Sequence, residues 1–146
     1  MRKKILLVGM VNSIHFSNWV ERLADSDLEI EIFASRQYRR LHPKLADLVE
    51  NSNNVKILNI AKIPFSNYFE FILDTKWLNW IRPLTRKERL KRIIRQNHFH
   101  RIHLLEIQHA GYLLVDSINN SEINLPIIVT NWGSDIFDFK NFSEYA

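Results

Sequence analysis

The feature that most constrains the fold is a repeated order of apolar runs and amphipathic segments. Five runs have the composition of strands, at residues 4–9, 29–35, 55–60, 101–106 and 126–131. Four segments with apolar residues at helical spacing lie between them, at residues 17–24, 43–50, 85–96 and 110–118. Strands that alternate with helices favour a parallel sheet with right-handed crossovers. The sequence therefore predicts an α/β fold, a doubly wound parallel sheet of about five strands with flanking helices.

The composition fits a single globular domain. The chain has 146 residues, of which 46% are hydrophobic and 25% are charged. It has no cysteine, so disulfides and thiolate metal sites are excluded and a reducing, cytoplasmic compartment is compatible. The first apolar run lacks a cleavage site and is short for a signal peptide. No segment approaches the about 20 apolar residues that span a bilayer, so we expect a soluble protein or one on a membrane surface.

The glycines point to one edge of the predicted sheet. The chain has three, Gly9, Gly111 and Gly133, and each lies at or just past a predicted strand end. Glycine permits close backbone approach, and doubly wound sheets bind ligands beyond the carboxyl ends of their strands. Polar residues follow the same strand ends, so we expect the binding site there.

The first polar group, Asn12, Ser13, His15 and Ser17, precedes a predicted helix. Free N–H groups at a helix N-terminus favour hydroxyl or anionic ligands. Only one glycine is present where a dinucleotide site has G-x-G-x-x-G, which argues against NAD or FAD. The alternative is that Ser17 is only an N-cap and His15 only a loop histidine.

The second group, Glu106, Gln108 and His109, follows the fourth strand. A carboxylate, an amide and an imidazole can accept a proton from a hydroxyl or hold a sugar ring by hydrogen bonds. Burial of Glu106 as a purely structural carboxylate is disfavoured because an unpaired buried charge is costly. His103, within the strand, is expected to be a hydrogen-bonded core histidine.

The third group, Trp132, Gly133, Ser134 and Asp135, follows the fifth strand. Ser134 or Asp135 can cap a turn, but capping requires neither the aromatic side chain nor the glycine. An aromatic residue beside a glycine suits stacking on a sugar face, so this group is expected to form one wall of a cleft.

The positive charge is concentrated in one window. Residues 82–101 contain eight Lys or Arg against Glu88 alone, which gives +7, so the rest of the +4 chain sums to 4 − 7 = −3. Trp77 and Trp80 precede this window. Aromatic and basic side chains together suit an anionic membrane surface, which ranks ahead of nucleic acid because no nucleic-acid motif accompanies them. The expected membrane-surface residues are Trp77, Trp80, Arg86, Lys87, Arg89, Lys91, Arg92 and Arg95.

Three stretches, "KILLVGMVNSIHFSNWVERLA", "RIHLLEIQHAGYLL" and "LPIIVTNWGSDIF", resemble the amino-terminal domain of family-4 (group 1) glycosyltransferases of the GT-B fold. The likeness is to bacterial members that build polysaccharide or lipopolysaccharide. It implies two Rossmann-like domains, of which the amino-terminal one receives the acceptor and the carboxyl-terminal one binds the nucleotide-sugar. Residues 1–146 then form the acceptor-side domain without the donor domain, and we expect them to lack turnover alone. The resemblance implies no cofactor, and metal is usually unnecessary in this fold.

The resemblance also implies roles for the three polar groups. Residues 12–17 correspond to the acceptor loop, residues 106–109 to a loop that supplies a catalytic or sugar-contacting group, and residues 132–135 to a segment usually written with histidine, glycine and aspartate. Trp132 replaces that histidine, so the candidate catalytic residues are His109 and Glu106.

The reaction implied is transfer of a hexose from a nucleotide-sugar to a lipid-linked or saccharide acceptor. The expected location is the cytoplasm, at the inner face of the plasma membrane. Two alternatives stay open at this point: a non-catalytic flavodoxin-like binding module and a basic nucleic-acid-binding domain.

Overall fold

The computed structural model describes residues 2–36, 38–58, 85–118 and 124–131. Its elements, in chain order, are β1 (Lys3–Gly9), α1 (Ile14–Ala24), β2 (Leu28–Ala34), α2 (Pro43–Asn51), β3 (Val55–Ile57), α3 (Arg86–Gln96), β4 (Arg101–Leu104), a π-helical turn (Ile107–Gly111) that continues into α4 (Tyr112–Ile118), and β5 (Ile127–Val129).

The described strands form one parallel sheet in the order β3-β2-β1-β4-β5. The chain starts at the central strand, moves outward to β3, and returns to the other side of β1 to form β4 and β5. This order confirms the prediction of a Rossmann-like, doubly wound α/β sheet. It also fixes which loops are neighbours, because all carboxyl ends of parallel strands meet at the same edge.

Apolar side chains are buried on both faces of the sheet. Ile5 and Leu7 of β1 join the core beneath α1 and α2, whereas Leu6 and Val8 join the core beneath α3 and α4. Successive side chains of a strand point to opposite faces. A central parallel strand covered on both sides needs apolar residues on both faces, which is why residues 5–8 of β1 form an uninterrupted apolar run.

Charged residues of β2 are neutralised within the sheet. Lys4 Nζ lies 2.9 Å from Glu31 Oε1 and 3.5 Å from Glu29 Oε1, and Lys56 Nζ is also 3.5 Å from Glu29. Glu31 is buried. Its hydrogen bond raises the pKa of Lys4 above the ordinary value, aided by the negative charges of both glutamates. An ion network thus links β1, β2 and β3 across the sheet.

Capping side chains explain where the helices begin. Thr85 Oγ1 accepts from Glu88 N at 3.3 Å, the capping interaction predicted for α3. α1 begins at Ile14, three residues before the predicted start, because Ser13 Oγ accepts from His15 N at 3.2 Å. Among the helices that the structure describes, none has the length and apolar character of a membrane span.

Candidate functional site

The carboxyl ends of the strands define the candidate edge, which we call the carboxyl edge. β1 and β4 are neighbours, but α1 packs on one face of the sheet and α4 on the other. The loops after these strands therefore diverge, and the point of divergence is where open α/β sheets bind ligands. Residues 12–13 and 106–109 directly follow β1 and β4, so the loops that begin two of the three predicted groups leave neighbouring strands at this edge.

The third predicted group lies outside the described residues. This applies to all of its members, Trp132, Gly133, Ser134 and Asp135. The strand that leads to them is in place, since the amide of Thr130 donates to Leu104 O at 2.8 Å. Thr130 therefore lies at the carboxyl edge beside β4, and the role of residues 132–135 stays a prediction.

Gly9 is sterically required at the end of β1. A Cβ atom at this position would lie 2.5 Å from the ring of Phe16 and 3.2 Å from Leu105 Cβ. The missing side chain lets the first turn of α1 pack onto the end of β1. Gly111 has no such need, because the nearest side-chain atom, in Ile107, would be 3.6 Å away. Close packing therefore explains the glycine at position 9, as predicted for this edge, but it does not explain the glycine at position 111.

Asn12, in the loop after β1, and His15, in the first turn of α1, are both exposed. Ser13 is half-buried and caps α1. Ser17 is fully buried one turn inside the helix, and its Oγ donates to Ser13 O at 2.8 Å. The sequence offered two interpretations of Ser17, as an N-cap and as a binding residue, and both are wrong. The residue neither caps the helix nor faces the edge, because α1 starts earlier than predicted.

Glu106 is buried, although the sequence argued against burial of this carboxylate. Its side chain is 2% exposed and accepts a hydrogen bond from Ser35 Oγ, across the end of β1. Ser35 is itself held there, since its amide donates to Gly9 O at 2.9 Å. The cost of burying the carboxylate is offset by these polar neighbours. Glu106 therefore lies beneath the edge and links the ends of β2 and β4.

Arg86 joins this buried cluster, which corrects its prediction as a membrane-surface residue. Its Nη1 donates to Ser35 O at 3.0 Å, and the residue is 9% exposed. It lies on the same stripe of α3 as the buried Leu90 and Ile94. Arg86 and Glu106 thus both hydrogen-bond to Ser35, the first to its carbonyl oxygen and the second to its hydroxyl.

The other predicted membrane-surface residues of α3 differ in exposure. Arg92 and Arg95 are exposed. Lys87, Arg89 and Lys91 are half-buried. Trp77 and Trp80 lie outside the described residues. The described part of the predicted membrane surface is therefore the outer face of α3, without Arg86.

His109 and Gln108 lie half-buried in the π-helical turn that starts directly after Glu106. Single π-helical turns occur often at functional sites, because they re-aim side chains within a helix. With Glu106 buried below, His109 is the described residue of this loop best suited to proton transfer at the edge.

His103 is a core histidine, as predicted. Its Nε2 lies 2.7 Å from Thr130 Oγ1, and its ring meets Trp19 edge-on with centroids 5.4 Å apart and planes at 86°. Burial lowers the pKa of His103 below its ordinary value, and the charge of Arg101 adds to this effect. The uncharged ring of His103 therefore links β4 to Thr130 after β5, inside the core beneath the carboxyl edge.

The sequence interpretation missed a second basic group at the edge. Arg36, Arg39 and Arg40 follow β2 and are exposed. The charge of all residues outside the window 82–101 was taken as one sum. These three arginines did not stand out in that sum, because acidic residues elsewhere cancel their charge. The available signal was the absence of Asp and Glu from residue 36 to residue 46. Within the described part of the chain, no group of three His, Asp or Glu is arranged to hold a metal ion.

Comparison with known protein families identifies a match. A family model described as glycosyl transferase 4-like matches residues 4–146. No curated protein and no solved structure matches the chain. The matched range includes all three predicted polar groups and the arginines after β2.

Proposed function

Because the chain belongs to the glycosyl transferase 4-like family, we propose that it forms the acceptor side of an enzyme that transfers a hexose from a nucleotide-sugar to a lipid-linked or saccharide acceptor. The observation that supports this proposal is that the loops after β1 and β4, which lead to His15 and carry Asn12 and His109, follow neighbouring parallel strands and diverge at the carboxyl edge. The family match gives no support to a flavodoxin-like binding module or a nucleic-acid-binding domain.

His109 is the proposed base. A neutral imidazole takes the proton of the acceptor hydroxyl while the acceptor oxygen bonds to the sugar carbon. The nucleotide then leaves with the electrons of the broken bond. Glu106 is a positioning residue in this scheme, because it is buried and hydrogen-bonded to Ser35 directly before the turn that carries His109. Asn12, His15 and Gln108 supply amide and imidazole groups that can hydrogen-bond a sugar.

In this proposal the nucleotide-sugar is held mainly by a second domain of GT-B type. Helix N-termini and basic side chains stabilise the charge on the leaving phosphate. The scheme uses neither a metal ion nor an organic cofactor. The acceptor belongs to bacterial polysaccharide or lipopolysaccharide synthesis, in keeping with the likeness of the three sequence stretches.

The proposed location is the cytoplasmic face of the plasma membrane. The exposed Arg92 and Arg95 of α3 support this proposal, because cationic side chains are attracted to anionic lipid. Trp77 and Trp80 are proposed to insert at the same surface, where amphipathic aromatic rings are favoured.

Transfer of label from a panel of nucleotide-hexoses to acceptors from bacterial membranes tests the function. In the full-length protein, His109→Ala is expected to lower the transfer rate by about 10²–10⁴-fold, the usual contribution of general acid–base catalysis. His98→Ala is the matched control, since His98 is exposed in the loop before β4, at the opposite edge of the sheet. Transfer by His109→Ala at the wild-type rate would exclude His109 as the base, and no transfer with any donor would overturn the function itself.

A further inference from the structure

The segment after β2, which we call the arginine loop (residues 36–42), is built to present cations. Tyr38 and Leu41 pack against the core beneath α1 and α2. Arg36, Arg39 and Arg40 are exposed. These two apolar contacts anchor the segment to the core, whereas the three guanidinium groups remain exposed to water. The segment therefore forms a cationic surface at the carboxyl edge.

Hydrogen bonds tie both ends of the arginine loop to the loop after β1. Ser35 N donates to Gly9 O at 2.9 Å where the loop begins, and His42 N donates to Val11 O at 3.0 Å where it ends. Ser35 and His42 are therefore fixed alongside residues 9–11. This arrangement places the three arginines on the same rim as Asn12.

Among the described residues, no ion pair balances the charge of the three arginines. No Asp or Glu occurs from residue 36 to residue 46. Lys44, the next cation, is paired with Glu21 at 2.6 Å and hydrogen-bonded to Asn18 at 2.8 Å. The ion pairs found among the described residues do not include Arg36, Arg39 or Arg40. Like charges held close together repel, and a bound anion relieves that repulsion.

His42 adds a hydrogen-bonding side chain beside these cations. Its Nδ1 accepts from Lys44 N at 3.3 Å as the N-cap of α2. With Nδ1 as the acceptor, Nε2 is the ring nitrogen that can donate. His42 is half-buried at the end of the arginine loop. The imidazole thus offers an N–H group in a place where the cations would draw an anion.

We propose that the arginine loop binds a phosphate group of the acceptor. Guanidinium groups form paired, charge-assisted hydrogen bonds with phosphate oxygens, which makes arginine the preferred side chain for this anion. The assignment of the phosphate to an acceptor rests on the proposed function, whereas the anion site itself does not. A sugar phosphate and the phosphate of a lipid carrier share this chemistry.

Calorimetric titration of the chain with inorganic pyrophosphate tests the site directly. Wild-type protein is expected to bind pyrophosphate saturably. The double variant Arg39→Gln with Arg40→Gln is expected to raise Kd by about tenfold or more, because hydrogen bonds to a charged group are lost. Lys3→Gln with Arg22→Gln removes the same charge from exposed residues at the opposite edge and is expected to leave Kd unchanged. Absence of saturable binding, or equal weakening in both double variants, would overturn the proposal.

Two further measurements complete the test. Arg36→Gln, a single exposed change, replaces the double variant if circular dichroism shows that the latter is unfolded. Competition of a hexose 1-phosphate with pyrophosphate identifies a soluble source. Sedimentation with phosphatidylcholine vesicles that carry a polyprenyl phosphate, but not with phosphatidylcholine alone, identifies a lipid source. Binding of neither compound would overturn the assignment to an acceptor.

Different results would overturn the proposed anion site and the proposed transferase function. Pyrophosphate binding requires no sugar donor and no turnover. Loss of transfer in His109→Ala with normal pyrophosphate binding would support both. Normal pyrophosphate binding in a protein without transfer activity would leave the site in place and overturn the function.

Discussion

The hydroxyl of Ser35 donates a hydrogen bond to the carboxylate of Glu106 across the carboxyl end of β1. The two residues are 71 positions apart in the chain, and both are buried. Their contact joins the loop after β2 to the loop after β4. The carboxyl edge is therefore held together by a polar interaction directly below the proposed acceptor site.

Ser35→Ala is expected to destabilise the protein by about 1–3 kcal/mol, because it leaves the buried carboxylate of Glu106 without this donor. Urea denaturation measures the free energy of unfolding. Ser26→Ala is the matched control: its hydroxyl donates to Leu23 O at an exposed position, where a change of at most about 0.5 kcal/mol is expected. Equal losses in both variants would show that the link between Ser35 and Glu106 adds no stability.

Gly9→Ala is expected to cost about 1–3 kcal/mol, because its methyl group would overlap the fully buried ring of Phe16. Gly111→Ala provides the comparison at a glycine with room for a methyl group. That change is expected to be neutral or to stabilise by up to about 1 kcal/mol, since alanine is the better helix former. Thermal unfolding of both variants measures the contrast, which a stable Gly9→Ala protein would contradict.

His103 is expected to make stability depend on pH on the acid side of its ordinary pKa. Burial lowers the pKa of His103 in the folded protein below 6.5, so the unfolded chain binds more protons once the pH falls below about 6.5. Stability is therefore present above that pH and declines as the pH falls towards the folded pKa. His103→Gln is expected to flatten this decline in urea titrations between pH 7 and pH 5.

The exposed His98 provides the control for that titration. His98→Gln removes a histidine outside the core and is expected to keep the wild-type pH dependence. An unchanged slope in His103→Gln would assign the acid sensitivity to other groups.

Arg92→Gln with Arg95→Gln is expected to weaken binding to vesicles that contain anionic lipid. Each basic side chain near such a surface contributes about 1 kcal/mol, so two lost charges correspond to about 30-fold in affinity. Vesicle sedimentation measures the change, with Lys3→Gln and Arg22→Gln as the charge-matched pair at exposed positions away from α3. Equal effects of the two pairs would indicate a response to net charge and remove α3 from the proposed membrane surface.

The architecture was predictable because it depends on short-range patterns. The apolar run of β1 and the spacing of Leu90 and Ile94 in α3 reflect burial within single elements, and such patterns can be recognised without knowing the partners. The N-cap at Thr85 was predictable for the same reason. Its capping interaction with Glu88 spans three residues.

The errors concern contacts between distant parts of the chain. Burial of Glu106 was disfavoured because its partner Ser35 belongs to another βα unit and could not be recognised from the sequence. Arg86 was expected on the surface because a charged helix face is normally exposed, and only the packed structure shows that its guanidinium reaches Ser35 O. Ser17 was misassigned for a local reason, since two serines compete to cap α1 and the earlier one, Ser13, does so.

The double attachment of the arginine loop affects the thermodynamics of ligand capture. Main-chain hydrogen bonds already hold Ser35 and His42 against Gly9 and Val11 before any ligand arrives. An incoming anion then has little backbone left to order, so the entropic penalty of association is small. Under these conditions ionic strength, through screening of the guanidinium charges, is expected to govern occupancy more strongly than loop rearrangement.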